Sequence, residues 1–114
     1  VEVFIGAGDD SFPYRHFMAN SLDTHFDATW TAHKKMDGSW DAEWRSQSML
    51  GNDGWTIELG IPWKAIGARP QPGEERRANV TRHRIPHEEE STTWAPMYKT
   101  FSDEEYMGFW VFEE

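Results

Sequence analysis

The sequence predicts an all-β, jelly-roll-like sandwich in a single domain, and three observations support this prediction. Stretches of roughly five to nine residues alternate apolar and polar side chains, which is the period of a half-buried strand. Clusters of Gly, Pro, Asn and Asp separate these stretches at regular spacing. Only residues 62–66 form a helical pattern, and it is one turn long. The chain has 114 residues, which is the length of one domain, 1–114.

The predicted strands of the N-terminal third follow directly from this alternation. Val1, Val3 and Ile5 occupy every second position of "VEVFI". The turn-rich stretch "GAGDDSFP" separates this strand from a second one over residues 14–21. A third strand is predicted in "THFDATWTAH", residues 24–33.

An Asp-Gly pair in "MDGSW" predicts a tight turn ahead of a fourth strand. Trp40, Ala42 and Trp44 alternate there with acidic residues, so this strand is expected to face the core with its tryptophans. A further turn, "GNDG", leads into the next strand, "WTIELGI".

The strand over residues 55–61 ends for a local reason. Pro62 has no amide donor for a sheet ladder, and its fixed backbone angle suits the start of a helix. Residues 63–66 fit one helical turn, and Gly67 fits its C-terminal cap. A short helical turn is therefore predicted at the exit of this strand.

The last third of the chain predicts two strands and an acidic loop. In "RRANVTRHR", Ala78 and Val80 face away from Asn79, Thr81 and His83. The acidic loop "PHEEESTT" and the segment "WAPMYKTFSDEEY" follow, and "MGFWVFEE" forms the closing strand.

Composition excludes several classes of function. Eleven basic and twenty acidic residues give a net charge of −9, which argues against a nucleic-acid partner. The absence of cysteine excludes disulfides and thiolate metal sites, and no apolar run is long enough to span a membrane. The seven Trp, seven Phe and three Tyr exceed what a sandwich core of this size needs. Because indole rings stack well on the apolar faces of sugars, this surplus favours carbohydrate as a ligand.

Six stretches taken in chain order resemble the family 9 carbohydrate-binding modules and their relatives. They are "VEVFI", "HFMANSLDTHFDA", "GWTIELGIPWKAIG", "PGEERRANVTR", "STTWAP" and "FSDEEYMGFWVF". The resemblance implies a jelly-roll-like β-sandwich that binds carbohydrate without catalysis, namely plant cell-wall polysaccharide such as cellulose, or its chain ends. It also implies a secreted module, extracellular or periplasmic, that holds an associated enzyme near its substrate.

The N-terminal strands of that family have no counterpart in this sequence, so the chain is expected to be truncated relative to the family. Missing strands would leave an apolar sheet edge that seeks a partner. We therefore expect a homodimer or a domain of a larger glycan-active protein.

The resemblance assigns most of the residues expected to contact the ligand. The family's "QFRVN" motif falls on "HFMAN", residues 16–20, and its aromatic clamp falls just ahead of "SDEEYMG". Alternation in the later strand adds polar side chains to the same face, and a tryptophan between a polar loop and a proline is a candidate for the rim. The residues expected to bind carbohydrate are His16, Met18, Asn20, Asn79, Thr81, His83, Trp94 and Phe101.

Three of these residues also have a structural interpretation. Asn20 could cap a turn, and Phe101 and Trp94 could fill the core. Trp55 and Trp63, in "GWTIELGIPWKAIG", are interpreted as scaffold residues.

A metal-dependent function is the alternative from another class. His16 and His83 share one predicted face, and His25 and Asp27 share another, so imidazole and carboxylate could together hold copper, zinc or iron. Such a site would make the protein an oxidative or hydrolytic enzyme acting on polysaccharide. A structural calcium ion held by the acidic loops is a further alternative.

The sequence nominates no catalytic residues. It contains no nucleophile elbow, no phosphate-binding glycine loop and no metal-binding helix motif. Glycoside hydrolysis requires two facing carboxylates, and the twenty acidic residues nominate no particular pair. The sequence therefore favours binding over catalysis.

Overall fold

Nine β-strands and two short 3-10 helices form the regular structure of the described residues, which are 1–7, 13–31, 35–85, 89–96, 100 and 104–113. The computed structural model thus confirms the all-β fold class. The strands are β1 (Glu2–Gly6), β2 (Tyr14–Ala19), β3 (His25–Trp30), β4 (Met36–Asp37), β5 (Arg45–Leu50), β6 (Trp55–Gly60), β7 (Glu75–Arg84), β8 (Glu90–Thr93) and β9 (Gly108–Val111). The helices are η1 (Trp63–Ile66) and η2 (Glu104–Tyr106).

Seven strands form one antiparallel sheet in the order β4-β3-β2-β1-β7-β8, and β9 also pairs with β7. β7 is long enough to hold three partners. Thr81 pairs with β1 on one side and with β8 on the other, whereas Ala78 pairs with β1 and β9. β8 and β9 therefore lie end to end along the side of β7 that faces away from β1.

β5 and β6 form a separate two-stranded hairpin. The Gly51 amide donates to the Gly54 carbonyl at 2.8 Å and closes its turn. Ile57 and Leu59 of β6 pack against a buried cluster on one face of the large sheet, so the two sheets stack as a β-sandwich. We call this covered side the inner face of the large sheet and the opposite side the outer face.

The core between the sheets is built on aromatic contacts. Phe17 is fully buried and meets the rings of Trp40 and Trp44 edge to face, with centroid distances of 5.8 and 5.4 Å. The buried members of this cluster are Ile5, Phe17, Ala19, Trp44, Ala65 and Ile66. Burial of these apolar side chains is the main force that holds the hairpin on the large sheet.

Part of the outer face is covered by the C-terminal segment. Phe4 and Tyr14 are buried there together with Met107, which immediately precedes β9. Tyr14 stacks on Trp30 with a centroid distance of 5.7 Å. This half of the outer face is therefore a second, smaller core.

The fourth strand predicted over residues 40–44 is wrong. This stretch pairs with no described strand, and its tryptophans instead turn toward the inner face. Trp44 Nε1 donates to Asp27 Oδ2 of β3 at 2.8 Å. The alternation of apolar and acidic residues at 40–44 therefore reflects burial of the apolar side chains against a sheet, and these residues do not form a strand themselves. The strand forms immediately afterwards as β5, whose inward positions Ser46 and Ser48 are polar.

Asp23 explains why β5 points serines toward the large sheet. It lies in the turn between β2 and β3 with a φ of 57°. Its carboxylate accepts bonds from Ser46 Oγ at 2.5 Å and from Ser48 Oγ at 2.8 Å, and the Ser48 amide donates to it at 3.1 Å. These bonds join the two sheets. They also lower the pKa of Asp23 from its ordinary value, with the Ser46 hydroxyl as the largest cause and Ser48 the next.

This contact predicts that acid weakens the sandwich. A carboxyl whose pKa is lower in the folded state stabilises the fold above its unfolded pKa, and the contribution disappears as the pH falls through the folded pKa. We expect wild type to be more stable than Asp23→Asn at neutral pH, and the difference to shrink as the pH falls below about 4. Urea unfolding at a series of pH values measures it, with Asp53→Asn in the exposed hairpin turn as the control. A difference that is independent of pH would contradict the prediction.

The helical turn predicted after Pro62 is confirmed as η1, and Gly67 closes it. Gly67 has a φ of 99°, and a Cβ at this position would lie 2.4 Å from the Ala7 carbonyl oxygen, so the turn requires glycine. The buried Arg76 of β7 donates to the Ile66 carbonyl at 2.6 Å, which satisfies the end of the helix.

Two further elements differ from the predictions. β8 forms inside the stretch predicted as an acidic loop, because its backbone pairs with β7 although its side chains are polar and mostly exposed. η2 adds a second short helix in a segment for which no helix is predicted. No helix in the described part of the chain is both long and apolar enough to cross a membrane.

Candidate functional site

The ladder register places the predicted polar residues of β2 and β7 on the outer face. One row across four neighbouring strands consists of Phe26, Met18, Glu2 and Thr81. His16 and Asn79 occupy the next row toward the covered half of this face. His83 lies beyond Thr81, toward the open end. The predicted alternation of both strands is therefore confirmed.

A pocket of about 410 Å³ opens at the uncovered end of this face. It brings together three of the predicted residues, Met18, Asn20 and His83, and adds Glu2 and Phe26 from the neighbouring strands. The residues that line it are Val1, Glu2, Met18, Ala19, Asn20, Thr24, His25, Phe26, His83 and Ile85.

The walls of the pocket are partly apolar and accessible. Phe26 is 38% exposed and lies beside Met18 in the ladder, so one aromatic ring and one thioether form a continuous surface. Ile85 is exposed beyond the end of β7 and lines the same pocket. Sequence reasoning assigns Phe26 to a strand face but gives it no role, because only the register shows which side chains flank Met18.

Glu2 is held in place from below by a buried histidine. Trp30 Nε1 lies 3.4 Å from His16 Nδ1, and because an indole nitrogen only donates, Nδ1 accepts. His16 Nε2 then carries the proton and donates to Glu2 Oε2 at 2.8 Å. His16 also stacks on Phe4 at 4.2 Å and is only 5% exposed. His16, predicted to touch ligand, therefore orients the carboxylate that lines the pocket.

Asn20 adopts the turn-capping role that was one of its two interpretations. Its Oδ1 accepts from the Leu22 amide at 2.9 Å and from the Thr24 amide at 3.0 Å. The side chain is nevertheless exposed and lines the pocket, so its Nδ2 protons are directed to partners other than the turn. Turn-capping thus fixes the amide at the mouth of the pocket.

His83 lies across the pocket mouth from Asn20. It is exposed at the end of β7, and Ser91 Oγ of β8 lies 3.1 Å from its Nδ1. This contact orients the ring and leaves Nε2 as the nitrogen available to a bound molecule.

Asn79 and Thr81 share the predicted face but are buried. Asn79 is 0% exposed and accepts from the Ala95 amide at 2.9 Å, and its Nδ2 donates to Thr93 Oγ1 at 2.8 Å. Thr81 is 1% exposed, and its hydroxyl has no partner among the described residues. In this conformation both side chains lie where β7 packs against residues 93–95, and they do not reach the pocket.

The two predicted aromatic contacts lie away from this pocket or outside the described residues. Trp94 is 56% exposed, and its ring lies against Gly108, where a Cβ would come within 2.6 Å of it. Trp94 does not line the pocket. Phe101 lies outside the described residues, so the clamp predicted there stays a prediction.

The described residues gather no group of three or more His, Asp or Glu side chains suited to a metal ion. His25 and Asp27, predicted as one candidate pair, both contact the same indole. The His25 ring stacks on Trp44 at 3.9 Å, and Asp27 accepts its Nε1–H. A shared aromatic neighbour therefore accounts for the pairing of these two residues on one face.

His25 and Ser46 lie close enough to suggest a nucleophile and a base, but their protons point the wrong way. His25 Nε2 lies 2.7 Å from Ser46 Oγ, and Ser46 Oγ donates its one proton to Asp23. His25 is then the donor to serine and does not accept from it, which is the reverse of nucleophile activation. This chain of bonds supports the turn and is not a hydrolytic site.

Three kinds of comparison place the chain beside no known protein. No family model matches it, and neither a curated protein nor a solved structure does. The resemblance to family 9 modules therefore stays a prediction based on six stretches of sequence.

Proposed function

We propose that the protein binds carbohydrate without catalysis, at the pocket lined by Glu2, Asn20, Phe26 and His83. The observation that supports this proposal is the combination of one accessible aromatic ring with three hydrogen-bonding side chains around it. A pyranose presents apolar C–H faces and a rim of hydroxyl groups. It therefore needs an aromatic plate and donors and acceptors at the edge of that plate.

The donors and acceptors of the pocket complement a hydroxyl-rich ligand. Glu2 accepts only, Asn20 offers amide protons, and His83 offers one ring nitrogen. Hydroxyl groups both donate and accept, so they pair with all three. Hydrogen bonds to the ionised Glu2 are the strongest of the set.

Charge narrows the class of sugar. Among the described residues that line the pocket, Glu2 is the only acidic or basic side chain besides two histidines, and the whole chain has a net charge of −9. A sulfated or uronic sugar would bring like charge against Glu2. Neutral glycans, such as the ends of cell-wall polysaccharide chains, avoid this repulsion and fit the pocket.

The size of the pocket fits a short saccharide. Its volume of about 410 Å³ lies within the range of small-molecule sites, roughly 300–1,000 Å³. The histidine-bound metal of the alternative hypothesis has less support, because the candidate ligands His16 and His25 are engaged with Glu2 and Ser46.

Phe26→Ala tests this proposal. Loss of the ring is expected to weaken binding of a neutral cello-oligosaccharide by about 0.5–1.5 kcal/mol, roughly two- to twelvefold in Kd. The fold should change little because the ring is partly exposed. Titration calorimetry alongside thermal melting measures both quantities.

Phe109→Ala is the matched control for this test. Phe109 is 51% exposed on the same face but lies outside the pocket, so its removal should leave Kd unchanged. Equal effects of the two substitutions on affinity, or no binding of a cello-oligosaccharide by wild type, would refute the proposed site.

A further inference from the structure

A second groove lies on the inner face of the large sheet, on the side opposite the carbohydrate pocket. It has a volume of about 460 Å³, and the eleven described residues that line it are all apolar. Ile57 and Leu59 of β6 form one wall, and Val3, Ile5, Val80 and Trp110 of the large sheet lie along the floor. The hairpin covers the β2 side of the inner face and η1 covers β7 at Arg76, whereas the part of β7 around Val80 lies open to the groove.

The wall of this groove is a strand edge with unused backbone groups. Among the described strands, β6 pairs only with β5. The Gly51-to-Gly54 bond makes that pair a hydrogen-bonded one, and antiparallel ladders alternate hydrogen-bonded and non-bonded pairs. By this alternation the amides and carbonyls of Ile57 and Leu59 point away from β5, toward the groove.

Side-chain and backbone directions therefore agree at Ile57 and Leu59. Their side chains face the large sheet, and their backbone groups face the open edge. Neighbouring strands lie about 4.8 Å apart, and stacked sheets lie about 10 Å apart. A strand laid beside β6 would thus lie over the part of β7 near Val80, with every second side chain directed into the groove.

Charge on the outer surface of the hairpin indicates which residues an added strand would carry at its solvent-facing positions. Thr56 and Glu58 of β6 are exposed on the outer surface of the hairpin. Outward side chains of an added strand would lie next to Glu58, and opposite charges across strands are favourable. The net charge of −9 favours the same choice of basic residues.

A second copy of this chain does not fit as the occupant. If β6 paired with its own copy across a twofold axis perpendicular to the sheet, the β7 and β9 strands of both copies would occupy the same space beneath the joined hairpins. A twofold axis in the plane of the sheet would instead turn the polar face of the second β6, with Thr56 and Glu58, toward the apolar groove.

We infer that the groove and the free edge of β6 form an acceptor site for an extended segment of a partner polypeptide. That segment has apolar residues at alternate positions and basic or hydroxyl residues between them. It adds to β6 as a strand, and its apolar side chains fill the groove over Val80 and Trp110.

A short synthetic peptide that alternates valine with lysine and threonine, KVTVKVTVK, is the probe. Titration calorimetry and tryptophan emission should show saturable binding, because Trp110 lines the groove. When the peptide runs antiparallel to β6 with its valines in the groove, the valine amides pair with β6, whereas the lysine and threonine amides face away. N-methylation of the valine amides should therefore weaken binding at least about tenfold, and N-methylation of the others should change it by less than about twofold.

A protein variant provides the second arm of the test. Val80→Lys should weaken peptide binding at least about tenfold because it places a charge on the groove floor. Val111→Lys, on the exposed outer face of β9, should leave binding unchanged. If thermal melting shows that Val80→Lys does not fold, the two methylated peptides decide the matter.

Three results would overturn the inference. One is the absence of saturable peptide binding, and another is equal affinity for the two methylated peptides. The third is self-association of the chain that Val80→Lys abolishes, because it would make a second copy the occupant. Phe26→Ala should not affect peptide binding, so this test is independent of the carbohydrate proposal.

Discussion

Phe17→Ala is expected to lower the free energy of unfolding by about 3–5 kcal/mol, the cost of removing a fully buried ring and leaving a cavity. Phe17 is 0% exposed, and its ring packs edge to face against the rings of Trp40 and Trp44. Both tryptophans come from the stretch that connects the two sheets. The cavity would therefore open at the place where the hairpin rests on the large sheet.

Urea unfolding followed by tryptophan emission measures this effect, and Phe109→Ala serves as the control. Phe109 is 51% exposed, and the Arg77 guanidinium carbon lies 4.9 Å from the centroid of its ring. Loss of the ring should therefore lower the free energy of unfolding by less than about 1 kcal/mol. A loss for Phe17→Ala no larger than that of the control would show that the sandwich core is not centred on this ring.

Asn79→Leu is expected to destabilise the fold by about 2–4 kcal/mol, although leucine is apolar and similar in size. The substitution leaves the Ala95 amide without its acceptor in a buried place, and the Thr93 hydroxyl loses its bond from Asn79 but still donates to the Ala95 carbonyl. An unsatisfied buried polar group costs about 1–3 kcal/mol. The packing of β7 against residues 93–95 should therefore loosen.

This substitution also separates the two interpretations of Asn79. Asn52→Leu, in the exposed turn of the hairpin, is the control and should be nearly neutral in thermal melting. If Asn79 instead touched carbohydrate, as the sequence predicts, Asn79→Leu would keep its melting temperature and lose affinity. A large fall in melting temperature would establish it as part of the packing of β7 against residues 93–95.

Much of the fold is readable from the sequence, because the signals are local. β7 follows from strict alternation, and η1 follows from Pro62 and Gly67. β5 is not readable, because its inward positions Ser46 and Ser48 are polar. They are satisfied by Asp23 from a distant turn, and no local period records that partner.

The site residues are likewise only partly predictable from the sequence. The motif resemblance in β2, together with alternation in β7, places Met18 and His83 on one face, and they meet in the pocket. Glu2 and Phe26 are missed because their neighbours depend on ladder register, and the only local signal is their own position in a strand. The burial of Asn79 depends on a segment far along the chain, so strand period alone could not predict it.

The position of β1 has a consequence for the growing chain. β1 lies inside the large sheet, with β2 on one side and β7 on the other. β2 is made immediately afterwards, but β7 leaves the ribosome only after residues 20–74 have been synthesised. Until then one edge of β1, with its apolar Val3, Phe4 and Ile5, is an unpaired template for other chains. We therefore expect aggregation during synthesis to depend on how long this edge of β1 stays unpaired before β7 is made.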